Sequence, residues 1–184
     1  MAIINASLLA GALDEKSPRA DGADAPAKKR PSVDAPPPAP EWIWDPLKMK
    51  DLESLAILGK GGFSCVTLVR HVPTKKVYGL KAMAKSLIVK SDLTLKVINE
   101  KEMLERLRGN PFCLQLFQTN KDCNYLYLLT EVADGGDLMA HMVQQRTLSR
   151  QHTQFYAACL LRAIEHCHAC GFVHRDIKVR CSSC

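Results

Sequence analysis

The feature that most constrains this chain is a glycine-rich bend between two β-forming segments, followed by a lysine. The bend reads Leu-Gly-Lys-Gly-Gly-Phe-Ser at residues 58–64, and the later run Val-Tyr-Gly-Leu-Lys ends at Lys81. Glycines let backbone amides approach a phosphate without a Cβ in the way, and a lysine adds a point charge for the same group. The pattern indicates a phosphate-binding hairpin, although most isolated bends of this kind are ordinary turns.

The pattern around this bend predicts an antiparallel meander. β-rich segments are expected near residues 52–60, 64–70 and 76–84, with a turn at 71–75 between the last two. A short turn or helix is expected at residues 85–91. The chain should therefore form a small sheet before its first long helix.

That long helix is expected from about residue 93 to 108, capped by Asp92 and ended by Gly109-Asn110-Pro111. Its spacing places five residues on one face: Leu93, Val97, Glu100, Leu104 and Leu107. A buried glutamate in such a stripe is costly unless a cation faces it. Lys81 is the predicted partner, and the alternative is that Glu100 lies in water at the edge of the stripe.

The second half of the chain predicts two more β-rich segments and a further long helix. The segments lie near residues 113–118 and 124–131, and a turn and helix start follow at 131–137. Ser149 is expected to cap a helix that runs to about residue 170 and ends at Gly171. Its predicted buried face consists of Ala157, Leu160, Leu161, Ile164, Cys167 and His168.

The first 40 residues form a separate compositional zone. They contain seven of the ten prolines, ten alanines and no aromatic residue, so we expect residues 1–40 to be disordered. Their charges cancel, which leaves the whole formal charge of +6 to residues 41–184. Residues 41–51 are expected to form a linker with a short helix introduced by Asp45-Pro46.

The predicted cellular compartment rests on the lack of two sequence features, a membrane span and a signal peptide. No apolar run approaches the roughly 18 residues of a membrane span, and the N-terminal residues lack the features of a signal peptide. Eight cysteines without an export signal suggest reduced thiols. We therefore expect a cytoplasmic chain, with the nucleus as the alternative.

Five features occur in the order and spacing of the eukaryotic protein kinases. They are the glycine bend, the run ending at Lys81, Asn99-Glu100-Lys101, residues 131–137, and His174-Arg175-Asp176-Ile177-Lys178. Over about residues 50–178 the chain resembles this family, and it is most similar to the cyclic-nucleotide-dependent branch of the basophilic serine/threonine kinases. The resemblance implies an α+β fold, with a five-stranded antiparallel sheet and one helix in a small lobe.

The same resemblance divides the chain into parts. The small lobe would cover about residues 52–132, and the first helices of a large lobe would cover 133–178. Residues 179–184 do not follow the family pattern.

The resemblance also implies an ATP site. Leu58 and Val66 would clasp the adenine, and the amides through Ser64 would cover the phosphates. Lys81, held by Glu100, would pair with the phosphates. The implied nucleotide-binding residues are Leu58, Gly59, Lys60, Gly61, Gly62, Phe63, Ser64, Val66, Lys81, Glu100, Thr130, Glu131, Ala133 and Asp137.

Within that set, the family gives separate roles to residues near the adenine and the ribose. Thr130 would lie behind the adenine, residues 131–133 would form the hinge that hydrogen-bonds the edge of the adenine, and Asp137 would contact the ribose.

Asp176 would accept the substrate hydroxyl proton and Lys178 would stabilise the transferred phosphoryl group. The implied activity is ATP-dependent phosphorylation of serine or threonine in proteins, with Mg²⁺ as the metal of the family.

The sequence departs from the family in several places. Ser64 replaces the third glycine of the bend, which is a mild change. Gly79 stands where kinases usually have alanine, so the adenine roof lacks a methyl group. Cys181 occupies the position of an Mg²⁺-binding asparagine, and the chain contains no Asp-Phe-Gly. We therefore expect no metal ligands and negligible phosphoryl transfer from these 184 residues, and we interpret the tail as the product of a truncated gene model or a retained intron.

The implied partners are ATP, a protein substrate with basic residues near its serine or threonine, and a regulatory subunit or domain outside this sequence. Nucleic acid and a membrane span are not expected. A non-catalytic nucleotide-binding or docking fragment is the alternative function. A zinc module is a third hypothesis, because Cys167-x-x-Cys170 and Cys181-x-x-Cys184 have the form of a zinc ribbon.

Overall fold

The computed structural model describes residues 47–132, 138–175 and 177. A short 3-10 helix, Met49–Asp51, leads into β1, Leu52–Lys60. The strands β2, Ser64–His71, and β3, Val77–Ala84, follow. The meander predicted from the sequence is confirmed to within one residue. Asp45 and Pro46, the predicted start of the first helix, lie outside the described residues, as does the expected disordered tail.

Two helices and two strands follow the meander. Helix α1 covers Lys85–Lys90, and α2 covers Thr94–Arg106. Strands β4, Leu116–Lys121, and β5, Tyr125–Thr130, follow α2. Beyond the sheet lie α3, Leu138–Gln145, and α4, Arg150–Ala169.

The five strands form one sheet in the order β1-β2-β3-β5-β4, and every neighbouring pair is antiparallel. The expected α+β fold with a five-stranded antiparallel sheet is therefore confirmed. Lys81 in β3 lies opposite Val66 in β2 and Leu128 in β5. Because paired residues share a face of the sheet, these three side chains form one row across its centre.

The two faces of the sheet support separate apolar clusters. The larger one combines Met83 and Leu128 with buried residues of α2 and α4, among them Leu104, Leu107 and Cys167. A smaller cluster on the other face contains Val69, Tyr78 and Leu129. The inner face, which carries Lys81, is thus covered by the long helix that carries Glu100.

Two local predictions were wrong. Asp92 does not cap α2, because its backbone is left-handed with φ of 50°; the helix begins at Thr94, and Leu93 at the N-cap makes no side-chain cap bond. Strand β4 begins at Leu116 rather than 113. The chain before this strand instead forms a turn, in which Cys113 donates its amide proton to the Asn110 carbonyl at 3.1 Å.

The predicted face of α4 was also wrong in part. Its cap is as expected, since Ser149 Oγ accepts the amide proton of His152 at 3.1 Å, and Gly171 follows the helix with φ of 80°. The exposed residues Ala157, Leu161 and His168 were assigned to the buried face. The residues that are actually buried are Tyr156, Cys159, Ala163 and Cys167. The small Ala163 and Cys167 let α4 approach the core cluster that includes Leu107, so size complementarity outweighed hydrophobicity.

Candidate nucleotide-binding site

An ion pair between the sheet and α2 is the centre of the candidate site. Lys81 Nζ donates to Glu100 Oε1 at 2.6 Å, across 19 residues of sequence. The two side chains are 21% and 10% exposed. The prediction that Lys81 faces the glutamate in the apolar stripe is therefore confirmed. The pair leaves part of the ammonium accessible to an anion on the inner side of the sheet.

The glycine bend joins the end of β1 to the start of β2. Gly61 donates its amide proton to the Ser64 carbonyl at 2.8 Å, which closes a tight turn, and Ala84 donates to the Phe63 carbonyl at 3.1 Å. Gly61 and Gly62 are exposed, whereas Phe63 is half-buried and packs against the larger cluster. One residue thus anchors the bend while its glycines remain accessible.

The strands beside the bend align it with Lys81. Gly59 lies opposite Val66 and Lys60 lies opposite Cys65, while Val66 lies opposite Lys81 in the next strand. Leu58 and Val66 are half-buried and Lys60 is exposed. The end of β1, Val66 and the Lys81 ammonium therefore lie on neighbouring strands, with Val66 and Lys81 on the same face of the sheet.

The far side of the site is the end of β5, which continues into the segment that we call the hinge, beginning at Glu131. Thr130 pairs with Gly79, and its hydroxyl lies 3.3 Å from the Gly79 carbonyl and 3.1 Å from the Glu131 carbonyl, to either of which it can donate. A Cβ on Gly79 would meet Thr130 Oγ1 at 3.0 Å and the Glu131 carbonyl oxygen at 3.4 Å. The missing methyl group therefore lets β3 lie close to the start of the hinge.

Gln115 holds the start of the hinge from outside the site, and no pattern in the sequence marks it for this role. Glu131 donates its amide proton to the Gln115 carbonyl at 3.0 Å, and Gln115 returns its own to Glu131 Oε1 at 2.9 Å. Burial raises the pKa of the Glu131 carboxyl, and the bond from the Gln115 amide opposes that rise. The Gln115 side-chain amide also donates to the carbonyls of Asn110 and Cys113.

Four predicted site residues lie outside the described residues: Ala133, Asp137, Asp176 and Lys178. Immediately before Asp176, Arg175 has a left-handed backbone with φ of 63°. Such a conformation is uncommon for a residue with a side chain. The chain approaching Asp176 packs against α2, because Phe172 lies under the Arg106 guanidinium with 5.4 Å between its ring centroid and Cζ.

Comparison with known protein families decides what this arrangement is. The model of the protein kinase domain matches residues 52–180. The chain belongs to the protein kinase family. The five-stranded sheet and the helix that carries Glu100 are therefore those of the family's small lobe, and the start of the large lobe follows.

The similar proteins are serine/threonine kinases, which confirms that part of the sequence resemblance. The chain is 38% identical over 132 residues to the serine/threonine-protein kinase CBK1 of Pneumocystis carinii, covering 72% of this chain and 26% of that protein. It is 35% identical over 133 residues to the protein kinase C zeta type of Oryctolagus cuniculus, covering 72% and 22%. With the serine/threonine-protein kinase sax-1 of Caenorhabditis elegans it shares 36% over 132 residues, covering 72% and 28%. The chain therefore spans less than a third of the length of each relative.

The zinc hypothesis rests on residues that are only partly described. Cys170 Sγ lies 3.8 Å from His166 Nε2, whereas Cys181 and Cys184 are outside the described residues. Within residues 47–132, 138–175 and 177, no three potential ligands are grouped so that they could hold a metal ion.

In the same ranges no helix is both long and apolar enough to cross a membrane.

Proposed function

We propose that the kinase small lobe binds ATP, with the phosphates between the glycine bend and Lys81. The observation that supports this most strongly is the 2.6 Å contact between Lys81 and Glu100. The carboxylate holds the ammonium in one position, so its charge is available to a phosphate without a further ordering cost. The backbone amide of the exposed Gly62 adds a donor on the opposite side.

The adenine would lie between the hinge and the apolar residues beside the glycine bend. Leu58 and Val66 provide apolar surface from above, and the hinge after Thr130 provides backbone groups for the purine edge. We assign the remaining contacts to Ala133 and Asp137 by family resemblance. Mg²⁺ belongs to the chemistry of the family, in which it neutralises charge on the phosphates.

For the whole protein we propose transfer of the ATP γ-phosphoryl group to serine or threonine in a protein. Asp176 would accept the hydroxyl proton, and Lys178 would stabilise charge on the transferred group. A preference for basic residues near the target and a regulatory partner are part of the same proposal. We expect the 184-residue chain itself to bind ATP without appreciable transfer, because its sequence contains no Asp-Phe-Gly.

The test compares ATP binding by the 184-residue chain with binding by Lys81→Met, using calorimetry. Loss of a charge-assisted contact should weaken binding about tenfold or more, since such contacts contribute about 1.5–3 kcal/mol. Lys96→Met, an exposed position on α2, is the matched control and should bind as the wild type does. Equal affinity of all three proteins would contradict the proposed site.

A phosphotransfer assay separates the two proposed functions. ATP binding without transfer fits a non-catalytic nucleotide-binding fragment, which is the alternative function. Turnover comparable to that of an intact kinase would contradict the expectation that these residues are inactive alone. A longer transcript that encodes Asp-Phe-Gly would support the catalytic assignment for the whole protein.

A further inference from the structure

A groove lies beside the hinge, and nothing in the ATP site accounts for it. We call it the hinge groove; it is lined by residues 75–78, Phe117, Glu131 and Val132 and has a volume of about 470 Å³. Tyr78 and Phe117 meet edge to face in its wall, with ring centroids 5.2 Å apart. Val77 is 48% exposed, and Lys75 and Lys76 add positive charge at the rim. The groove therefore suits an aromatic residue with an acidic neighbour.

The path of the chain points to the occupant. Leu47 donates its amide proton to Gln118 Oε1 at 2.8 Å, and Gln118 Nε2 donates to the Leu47 carbonyl at 3.0 Å. Leu47 also packs against the smaller cluster, in which Tyr78 and Phe117 take part. Leu47, the first described residue, thus lies on the sheet next to one wall of the hinge groove.

Residues 41–45 read Glu-Trp-Ile-Trp-Asp, and they contain the only two tryptophans in the sequence. They lie outside the described residues. Trp44 is three residues before Leu47, so its Cα lies within about 11 Å of that anchor even if the chain is fully extended. Glu41 and Asp45 carry the charge opposite to that of Lys75 and Lys76.

We propose that residues 41–45 bind in the hinge groove, with a tryptophan against Phe117 and the acidic residues near Lys75 and Lys76. An aromatic ring in this position buries apolar surface and can also receive a lysine on its face. Because Glu131 and Val132 line the same groove, the bound segment braces the start of the hinge. This docking does not depend on nucleotide binding.

Tryptophan fluorescence tests the proposal, since only the proposed segment carries the fluorophore. In the full 184-residue chain without nucleotide, we expect blue-shifted emission and protection from acrylamide quenching. Val77→Glu places bulk and negative charge in the groove and should shift emission to the red and remove the protection. Val89→Glu, at a position 74% exposed on α1, is the matched control and should change neither. Circular dichroism checks that both variants are folded.

Two outcomes of this experiment would overturn the proposal. One is tryptophan emission of the wild type that is already typical of water, and the other is an equal response to Val77→Glu and Val89→Glu.

Zero-length carbodiimide cross-linking gives a second measurement that needs no variant. It should join Glu41 or Asp45 to Lys75 or Lys76 within one chain, as detected by mass spectrometry. Cross-links found only between isotopically distinct copies would assign the groove to a second chain and reject our assignment.

Discussion

Two parts of the candidate ATP site differ sharply in how they are built. The floor consists of β3, β5 and α2, where Met83 and Leu107 are fully buried and Leu128 is 3% exposed. The cover consists of β1, the glycine bend and the start of β2, and five consecutive residues of β1, 53–57, are exposed. Because local stability follows buried contacts, the charge of Lys81 is held by the more stable part, while the amides that close over a ligand belong to the less stable part.

The largest expected difference between floor and cover concerns apolar side chains. Leu104→Ala removes a residue that is 2% exposed and should lower the free energy of unfolding by about 2–5 kcal/mol. Ile57→Ala removes one that is 58% exposed and should change it by less than about 0.5 kcal/mol. Urea denaturation measures both. Similar losses for the two variants would end the distinction between floor and cover.

The Lys81–Glu100 pair should be more strongly coupled than an exposed pair on the same helix. A double-mutant cycle with Lys81→Met and Glu100→Gln should give a coupling of about 1–3 kcal/mol. Lys101 Nζ lies 3.0 Å from Glu105 Oε1, and the two side chains are 47% and 41% exposed. This exposed pair should give a coupling of about 0.3–0.5 kcal/mol. Thermal or urea unfolding of each set supplies the values. A coupling no greater than that of the exposed pair would show that burial adds nothing.

Two glycines allow a matched test of packing. Gly79→Ala places a Cβ 3.0 Å from Thr130 Oγ1 and should cost about 1–3 kcal/mol through overpacking in the floor. Nothing lies within 4 Å of a Cβ on Gly62, so Gly62→Ala should be neutral or stabilise by up to about 1 kcal/mol. Melting curves of the two variants check this. A stabilised Gly79→Ala would mean that the hinge can move to accept the methyl group.

The smallest expected effect is a dependence of stability on pH at the edge of the floor. Burial raises the pKa of Glu131 above its ordinary value of 4.5, so the folded state binds this proton more tightly than the unfolded state. Its contribution is present below 4.5 and is lost as the pH rises through the folded pKa. The free energy of unfolding should therefore fall more steeply with rising pH in the wild type than in Glu131→Gln. Parallel curves from urea titrations across the acidic range would exclude this residue as the cause.

Local patterns predicted the sheet and the ion pair because both depend on residue type and spacing. The alternation around the glycine bend predicted β1, β2 and β3, and a lone acid in an apolar stripe predicted the contact of Glu100 with Lys81. Position within the kinase family supplied the assignments for the hinge and for Asp176, which remain proposals.

Contacts that depend on tertiary packing could not be read from the sequence. Gln115 and Gln118 use side-chain amides to replace backbone partners, and glutamine carries no pattern that marks such a role. Asp92 resembles a cap of α2, but its left-handed backbone ends α1, since its amide donates to the Val89 carbonyl at 3.2 Å and the Leu93 amide donates to the Ile88 carbonyl at 2.9 Å. On α4 the boundary of the buried face is set by how closely Ala163 and Cys167 approach the core, which residue hydrophobicity does not express.

The bonds between Leu47 and Gln118 have a consequence for how the kinase small lobe folds. They join residues 71 positions apart, whereas the β1–β2 and β2–β3 hairpins join near neighbours. Loop closure over such a distance costs conformational entropy that is recovered only after β4 has paired with β5. We therefore expect the two hydrogen bonds between Leu47 and Gln118 to form late in folding and to break first when denaturant is added.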